Sequence, residues 1–298
     1  MFILSLFSRL PLRLLYLLSD VIAFLAYHVV RYRLRVVHRN ICLCFPHISV
    51  KDQKRIQKGF YRHLADVIVE AVWFGGCNNS QRLRRQRMVE ILNPEALCEL
   101  SSDGRSMVIL SSHLCNWELS GGILHYNYTS RPFPLSEQNY VVVYKKLSSP
   151  RWNRFMQKNR MAPVLDPEHF QGYIDSNHVL RYIVRHSHEQ KFYNFITDQR
   201  PYKAAKGTLP VTFLGQQCQS MAAAAHLAQH YAFSVVYQRM LSTGRGHYTL
   251  EYVPICTNAA ETTAQEIMNR FYELLSADIL SQPSQYLWSH KRFPPTNS

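Results

Sequence analysis

Residues 107–118 read MVILSSHLCNWE. The run Met107-Val108-Ile109-Leu110 is short, apolar and unbroken, which suits a strand buried on both faces of a parallel sheet. Two serines then release the chain into a polar turn, and Asn116-Trp117-Glu118 opens a segment with helical patterning over 116–126. Further along the chain the same alternation recurs. Strands are expected at Tyr140–Tyr144, at Phe192–Thr197, over 232–239 and at Tyr248–Val253. Helices are expected over 94–101, 150–160, 175–187, 220–231 and 260–280. Before them, Ile56, Phe60, Leu64, Val67 and Ala71 recur at spacings of three and four, predicting a helix over 50–75 started by Ser49 or Asp52 and ended by Gly75-Gly76. Strands alternating with helices predict an α/β fold with a mixed, mostly parallel central sheet flanked by helices. In such sheets binding sites lie beyond the carboxyl ends of the strands. That rule directs attention to the residues following Leu110, Tyr144 and Thr197.

The chain holds 298 residues, 47% of them hydrophobic and 18% charged, enough for a substantial core and unlike a disordered composition. No repeat or low-complexity linker divides it. The expected organisation is an N-terminal membrane anchor over residues 1–30 and one α/β domain over 31–298. Between Leu14 and Val30 the only formal charge is Asp20, and Arg31, Arg33, Arg35 and Arg39 follow. An apolar run of this length is at the short end of a bilayer span. The trailing arginines place the α/β domain on the cytoplasmic side, and the order of the two features does not match a cleaved signal peptide. An amphipathic helix lying in the interface is the competing reading of the same run.

The balance of 34 Lys+Arg against 20 Asp+Glu gives a formal charge of +14, which favours an acidic partner. Residues 31–62 alone carry nine basic side chains and one acid, Asp52. Beside an apolar anchor, such a stretch suits anionic lipid headgroups. Nucleic acid is not expected, because no helix-turn-helix, zinc-finger or RNP pattern is present. Seven cysteines without a CxxC pair argue against a disulfide scaffold or a zinc ribbon, and no metal site is expected.

His113 and Glu118 are the candidate catalytic pair. On one continuous α-helix they would point about 140° apart. With His113 on the strand-end loop and Glu118 in the first helical turn they can converge, the carboxylate fixing the tautomer of an imidazole that acts as general base. The spacing alone is weak, since a Glu stands five positions after a random His about once in twenty times. The strand-end context strengthens it. No G-x-S-x-G elbow, P-loop, G-x-G-x-x-G or HExxH competes. Cys115, separated from His113 by one residue, is poorly placed to be activated by it as a nucleophile.

The stretch Ser112-His113-Leu114-Cys115-Asn116-Trp117-Glu118 resembles the G-H-x-G-N-W-E of the lipid A biosynthesis (late or secondary) acyltransferases, within the wider lysophospholipid acyltransferase-like superfamily with its HxxxxD/E motif. Arg39-Asn40-Ile41 and Cys44-Phe45-Pro46, Tyr61-Arg62-His63 through Glu70, Val143-Tyr144-Lys145 through Arg160, Asp198-Gln199, Phe213-Leu214-Gly215 and Trp288-Ser289-His290-Lys291-Arg292 resemble further segments of that family. The resemblance runs from about residue 10 to residue 292. It implies transfer of an acyl chain from an acyl-carrier-protein thioester, a co-substrate rather than a cofactor, to a hydroxyl of a lipid A precursor. It implies His113 as base with Glu118 as its orienting partner, and a place at the bacterial inner membrane with the catalytic domain on the cytoplasmic face. Asn116 would serve the oxyanion, while Lys145, Arg160, Asp198 and Gln199 would shape the site or hold phosphate groups. Ser112 and Cys115 stand where the family pattern has glycine, Lys145 where it has arginine and Phe293 where it has tryptophan. These departures leave a lysophospholipid, an aminolipid or a glycolipid as the alternative acceptor.

Overall fold

A computed structural model describes residues 6–77, 80–146, 149–165, 170, 172–202 and 207–293. The first five residues of the expected anchor and the last five of the Pro-rich tail lie outside the described residues.

The chain opens with helix α1 (Leu12–Phe24), extended by a π-helical turn at Leu25–Val29. Helix α2 (Leu34–Cys44) and the long α3 (Val50–Phe74) follow. The α3 start is set by Ser49, whose hydroxyl accepts the Asp52 N–H at 3.1 Å, and Asp52 lies in the first turn where its charge suits the helix dipole. Ile56, Phe60, Tyr61, Ala65 and Val69 bury one face. Removing a side chain such as Phe60 from water contributes about 1.5–3 kcal/mol. Helices α4 (Ser80–Gln86) and α5 (Ala96–Leu100) flank the short strand β1 (Val89–Ile91).

The remaining elements are β2 (Met107–Ser111), β3 (Tyr140–Tyr144), α6 (Pro150–Arg160), β4 (Tyr173–Asp175), α7 (Val179–Arg185) and β5 (Phe192–Ile196). They continue with the hairpin β6 (Thr208–Phe213) and β7 (Gln216–Met221), then α8 (Ala223–His230), β8 (Ser234–Gly244), β9 (His247–Cys256) and α9 (Ala264–Ser281). Seven strands form one sheet in the order β1-β9-β8-β2-β5-β3-β4. Every pairing is parallel except β8 with β9. The five strands read from the sequence all lie in it, and the fold is the expected mixed, mostly parallel α/β arrangement. All five residues of β2 are buried, because helices and loops cover both faces of this central strand.

Three features depart from the sequence reading. The segment after Asn116 is not α-helical but 3-10 over Trp117–His125. Its middle is the pair Gly121-Gly122, and a Cβ on Gly121 would stand 2.3 Å from the Arg160 carbonyl oxygen, so the end of α6 rests directly on this backbone. The edge strands β1 and β4 are too short to show a period, and the β6–β7 hairpin carries Pro210 and three glutamines where a strand pattern would need apolar residues.

Parallel pairing of β2 with β5 sets up the site. Ser111 and Ile196 are register partners. His113 and Asp198 each lie two residues beyond that pair, so both loops leave the sheet side by side. Next to β5, β3 delivers Lys145 at the same end.

Candidate active site

His113 stands on the loop beyond β2, beside a cavity of about 650 Å³ that it lines together with Glu118, Lys145, Arg160, Tyr173 and Gln199. Its Nδ1 lies 2.7 Å from Asp198 Oδ1, and its backbone N–H donates to Asp198 Oδ2 at 3.1 Å. One carboxylate thus grips both the ring and the main chain of the histidine. With the Nδ1 proton donated to Asp198, Nε2 carries the lone pair. The Gln199 amide nitrogen lies 3.1 Å from Nε2 and can donate to it. Trp117 packs edge-on against the imidazole at a centroid distance of 4.9 Å.

Asp198 is only 1% exposed. Burial by itself would raise its pKa, but the adjoining His113 charge, the hydrogen bonds from His113 and one from Tyr286 outweigh that and hold the carboxyl below its ordinary value. Tyr286 belongs to the C-terminal tail, which returns to the site by a bridge between Leu114 and Tyr286 and by the Cys115 N–H bond to the Gln285 carbonyl.

The structure corrects two expectations. The carboxylate bonded to His113 is Asp198, not Glu118. Glu118 Oε2 accepts from Arg160 Nε at 2.8 Å and Oε1 from Arg160 Nη2 at 2.7 Å, with Trp117 Nε1 also donating to Oε1 at 3.0 Å. The physical reason is topological: β5 ends beside β2 and brings Asp198 to the ring, whereas Glu118 has turned away on the 3-10 segment toward the end of α6. The paired guanidinium is raised above its usual range, since the Glu118 bonds outweigh the opposing effect of burial. Asn116, expected to face an oxyanion, is fully buried. Its amide donates to Glu70 Oε2 at 2.6 Å and its Oδ1 accepts the Glu118 N–H at 3.1 Å. It caps the 3-10 segment and does not line the cavity.

Of the other expected residues, Lys145, Arg160 and Gln199 line the cavity, while Asp198 is buried against His113. Lys145 lies over the Tyr202 ring, 3.2 Å from its centroid, and Lys146 lies beside it on the lining. Val142, Val143, Phe195 and Ile196 add apolar surface. One wall is therefore cationic and another suits a hydrocarbon chain. Among the described residues, no group of three or more His, Cys, Asp or Glu could hold a metal ion.

Sequence reading missed Glu70 as part of this assembly. It is buried near the C-terminal end of α3, and its carboxylate accepts from Asn116, from Tyr16 of α1 at 2.8 Å and from Tyr248 of β9 at 2.9 Å. Burial pushes its pKa up to about 7 against the three hydrogen bonds. Tyr286 was likewise missed. A buried acid inside an otherwise apolar helical stripe was the available signal for Glu70; nothing local marks Tyr286.

Comparison with known proteins extends over nearly the whole chain. The family model described as bacterial lipid A biosynthesis acyltransferase matches residues 1–294. The lipid A biosynthesis lauroyltransferase of Escherichia coli (strain K12) is 24% identical over 307 aligned positions, covering 98% of this chain and 89% of that protein.

Proposed function

The chain belongs to the bacterial lipid A biosynthesis acyltransferase family, and we propose that it moves a fatty acyl chain from an acyl-carrier-protein thioester to a hydroxyl of a lipid A precursor at the membrane. The observation that carries this reading is the His113–Asp198 bond of 2.7 Å with the opposite ring nitrogen beside the cavity. Glu118, first expected as the partner of His113, instead fixes Arg160 on the cavity wall.

Asp198 holds the Nδ1–H tautomer and stabilises the imidazolium as it forms. The acceptor hydroxyl takes the place of the Gln199 amide at Nε2. Nε2 removes the hydroxyl proton as the oxygen attacks the thioester carbonyl carbon, and the carbonyl π electrons move onto its oxygen. Collapse of that oxyanion breaks the carbon–sulfur bond. The carrier thiolate leaves with the proton held on Nε2, which returns the imidazole to its starting state. No resident cofactor enters the scheme. Arg160, Lys145 and Lys146 provide positive charge for acceptor phosphates, and the basic surface steers both an acidic carrier and an anionic lipid.

The test offers the detergent-solubilised protein carrier thioesters of several chain lengths, with a lipid A precursor and, in parallel, a lysophospholipid. Mass spectrometry reads the product and His113→Ala is the control. His113-dependent acylation of the lipid A precursor is the expected result. Acylation of the lysophospholipid alone would overturn the acceptor; no transfer to either would overturn the proposal.

A further inference from the structure

The two faces of α1 make opposite demands on their surroundings. On the outer face Leu14, Leu17, Val21 and Phe24 are each more than half exposed, at 51%, 66%, 54% and 58%. Their spacing of three and four continues through Leu25 and Val29, so the stripe runs the length of the helix. The stretch Leu12–Val29 is long and apolar enough to cross a membrane by length and composition. At 1.5 Å per residue it would reach about 27 Å, close to a hydrocarbon core of about 30 Å.

The inner face buries Leu12 and Leu15 against the domain, and its polar groups are already bonded to it. Ser19 is fully buried and donates to Asp66 Oδ1 at 2.6 Å. Tyr16 donates to Glu70 Oε1 at 2.8 Å. Arg245, at the turn between β8 and β9, donates to Asp20 Oδ1 at 2.8 Å, to Asp66 Oδ1 at 2.7 Å and to the Tyr16 carbonyl at 3.2 Å. A span surrounded by lipid would carry Tyr16, Ser19 and Asp20 into hydrocarbon and strip Asp66 and Glu70 of these partners. A span that stayed packed on α3 would drag the exposed Lys58 and Arg62 of that helix toward the bilayer core. Both arrangements place polar or charged groups where lipid cannot satisfy them.

We infer that α1 does not cross the bilayer but lies in the plane of an anionic membrane surface, its Leu14-Leu17-Val21-Phe24 face in the acyl chains and its Tyr16-Ser19-Asp20 face fixed to the catalytic domain. The exposed Arg9 and Arg13 at one end and Arg31 and Arg35 at the other are the charge complement of anionic headgroups. The inner face also connects to the site, because Glu70 binds both Tyr16 and Asn116, and Asn116 accepts the Glu118 N–H. A lipid-seated helix thereby sets the position of the catalytic loop relative to the leaflet that supplies its acceptor.

The inference rests on the membrane-associated reading of the proposed function, and the experiment separates the two. The full chain, carrying a protease-sensitive tag at either the N- or the C-terminus, is probed in spheroplasts and in inverted membrane vesicles. Both tags are expected to be cleaved in inverted vesicles and protected in spheroplasts. An N-terminal tag cleaved in spheroplasts, with the C-terminal tag protected there, would show a span and overturn the inference while leaving membrane association intact. Recovery of the chain in the soluble fraction would overturn both. In a second measurement the purified chain is partitioned onto phosphatidylglycerol/phosphatidylethanolamine vesicles. The variant Leu14→Glu/Leu17→Glu/Val21→Glu is expected to lose at least about tenfold in partition with an unchanged far-UV spectrum. Unchanged partition would remove the lipid-facing role of this face.

Discussion

Two carboxylates serve the site, and they are held in contrasting ways. Asp198 is sealed from solvent and grips His113 at both ring and backbone. Glu118 stands on the cavity wall and grips a guanidinium whose side chain is 26% exposed. A sealed carboxylate can hold one tautomer and one orientation, since water does not compete for it. Glu118 is itself largely buried, but its cation is partly open to the cavity, so the pair orients a charge toward whatever enters. The spacing of His113 and Glu118 along the chain therefore marks two separate pairings, His113 with Asp198 and Glu118 with Arg160, rather than one couple.

His113→Ala takes away the group on which the contrast turns, and the largest effect is expected there. Transfer should fall by about 10²–10⁴-fold, the usual order for a positioned general base. Asp198 keeps the backbone N–H and Tyr286, so the thermal midpoint should move little. A large drop in midpoint together with the loss of transfer would make His113 a structural residue.

Asp198→Asn should come next. The amide can present its NH₂ to Nδ1 and turn the tautomer, lowering kcat by roughly 10²–10⁴-fold with little change in KM. Glu118→Gln should act mainly on acceptor KM, about tenfold, because it loosens one arm of the bidentate grip on Arg160. Its stability loss should be about 1–3 kcal/mol, less than for a sealed pair because Arg160 is partly wet. Equal kcat losses in the two variants, or coupling of Glu118 with His113 rather than with Arg160 in a double-mutant cycle, would break the comparison.

A third acid sharpens it through pH. Asp198 has a lowered pKa, so its contribution to stability is present above the unfolded value and is lost as pH falls through the native one. Glu70 has the opposite sign, raised from 4.5 to about 7. Its contribution is complete below about pH 4.5 and declines as pH rises to about 7. Glu70→Gln should therefore gain stability relative to the parent across that window, by up to about 3 kcal/mol. Thermal midpoints of both proteins at about pH 5, 6, 7 and 8 test this. A constant difference would mean that Glu70 is ionised throughout, held so by its three donors.

Much of this architecture is legible in the residues alone. The buried strand Met107–Ser111, the α3 stripe and the strand-end histidine come from period and composition, which are local properties. The partner of His113 is not local. It depends on β2 and β5 being parallel neighbours in matching register, and nothing near Glu118 reveals that Arg160 will reach it first. Tyr286 is farther still from the motif, and its place depends on the tail folding back over α3 and the β2 loop. Asn116 misled for a related reason: a side chain beside the strand-end histidine can face the core as readily as the cavity.

The departures from the family pattern offer the finest test. Cys115 stands where glycine is usual, and its φ of 57° lies in the left-handed region that favours glycine. The loop keeps that conformation because its N–H is bound to the Gln285 carbonyl at 2.9 Å and its carbonyl to His63 Nε2 at 3.1 Å. The strain of a non-glycine residue there is about 1–2 kcal/mol, and the buried thiol returns part of it through packing. Cys115→Gly should therefore change stability by no more than about 1 kcal/mol, measured by denaturant midpoint. Transfer should also stay within a few-fold of the parent. Burial pushes the thiol well above its ordinary pKa, and the sulfur faces Gln282 at 3.9 Å rather than the imidazole, so no thiolate is poised to attack. Loss of transfer in a folded Cys115→Gly protein, with an acyl group trapped on Cys115 of the parent, would instead assign the chemistry to the thiol and reduce the His113–Asp198 pair to its activator.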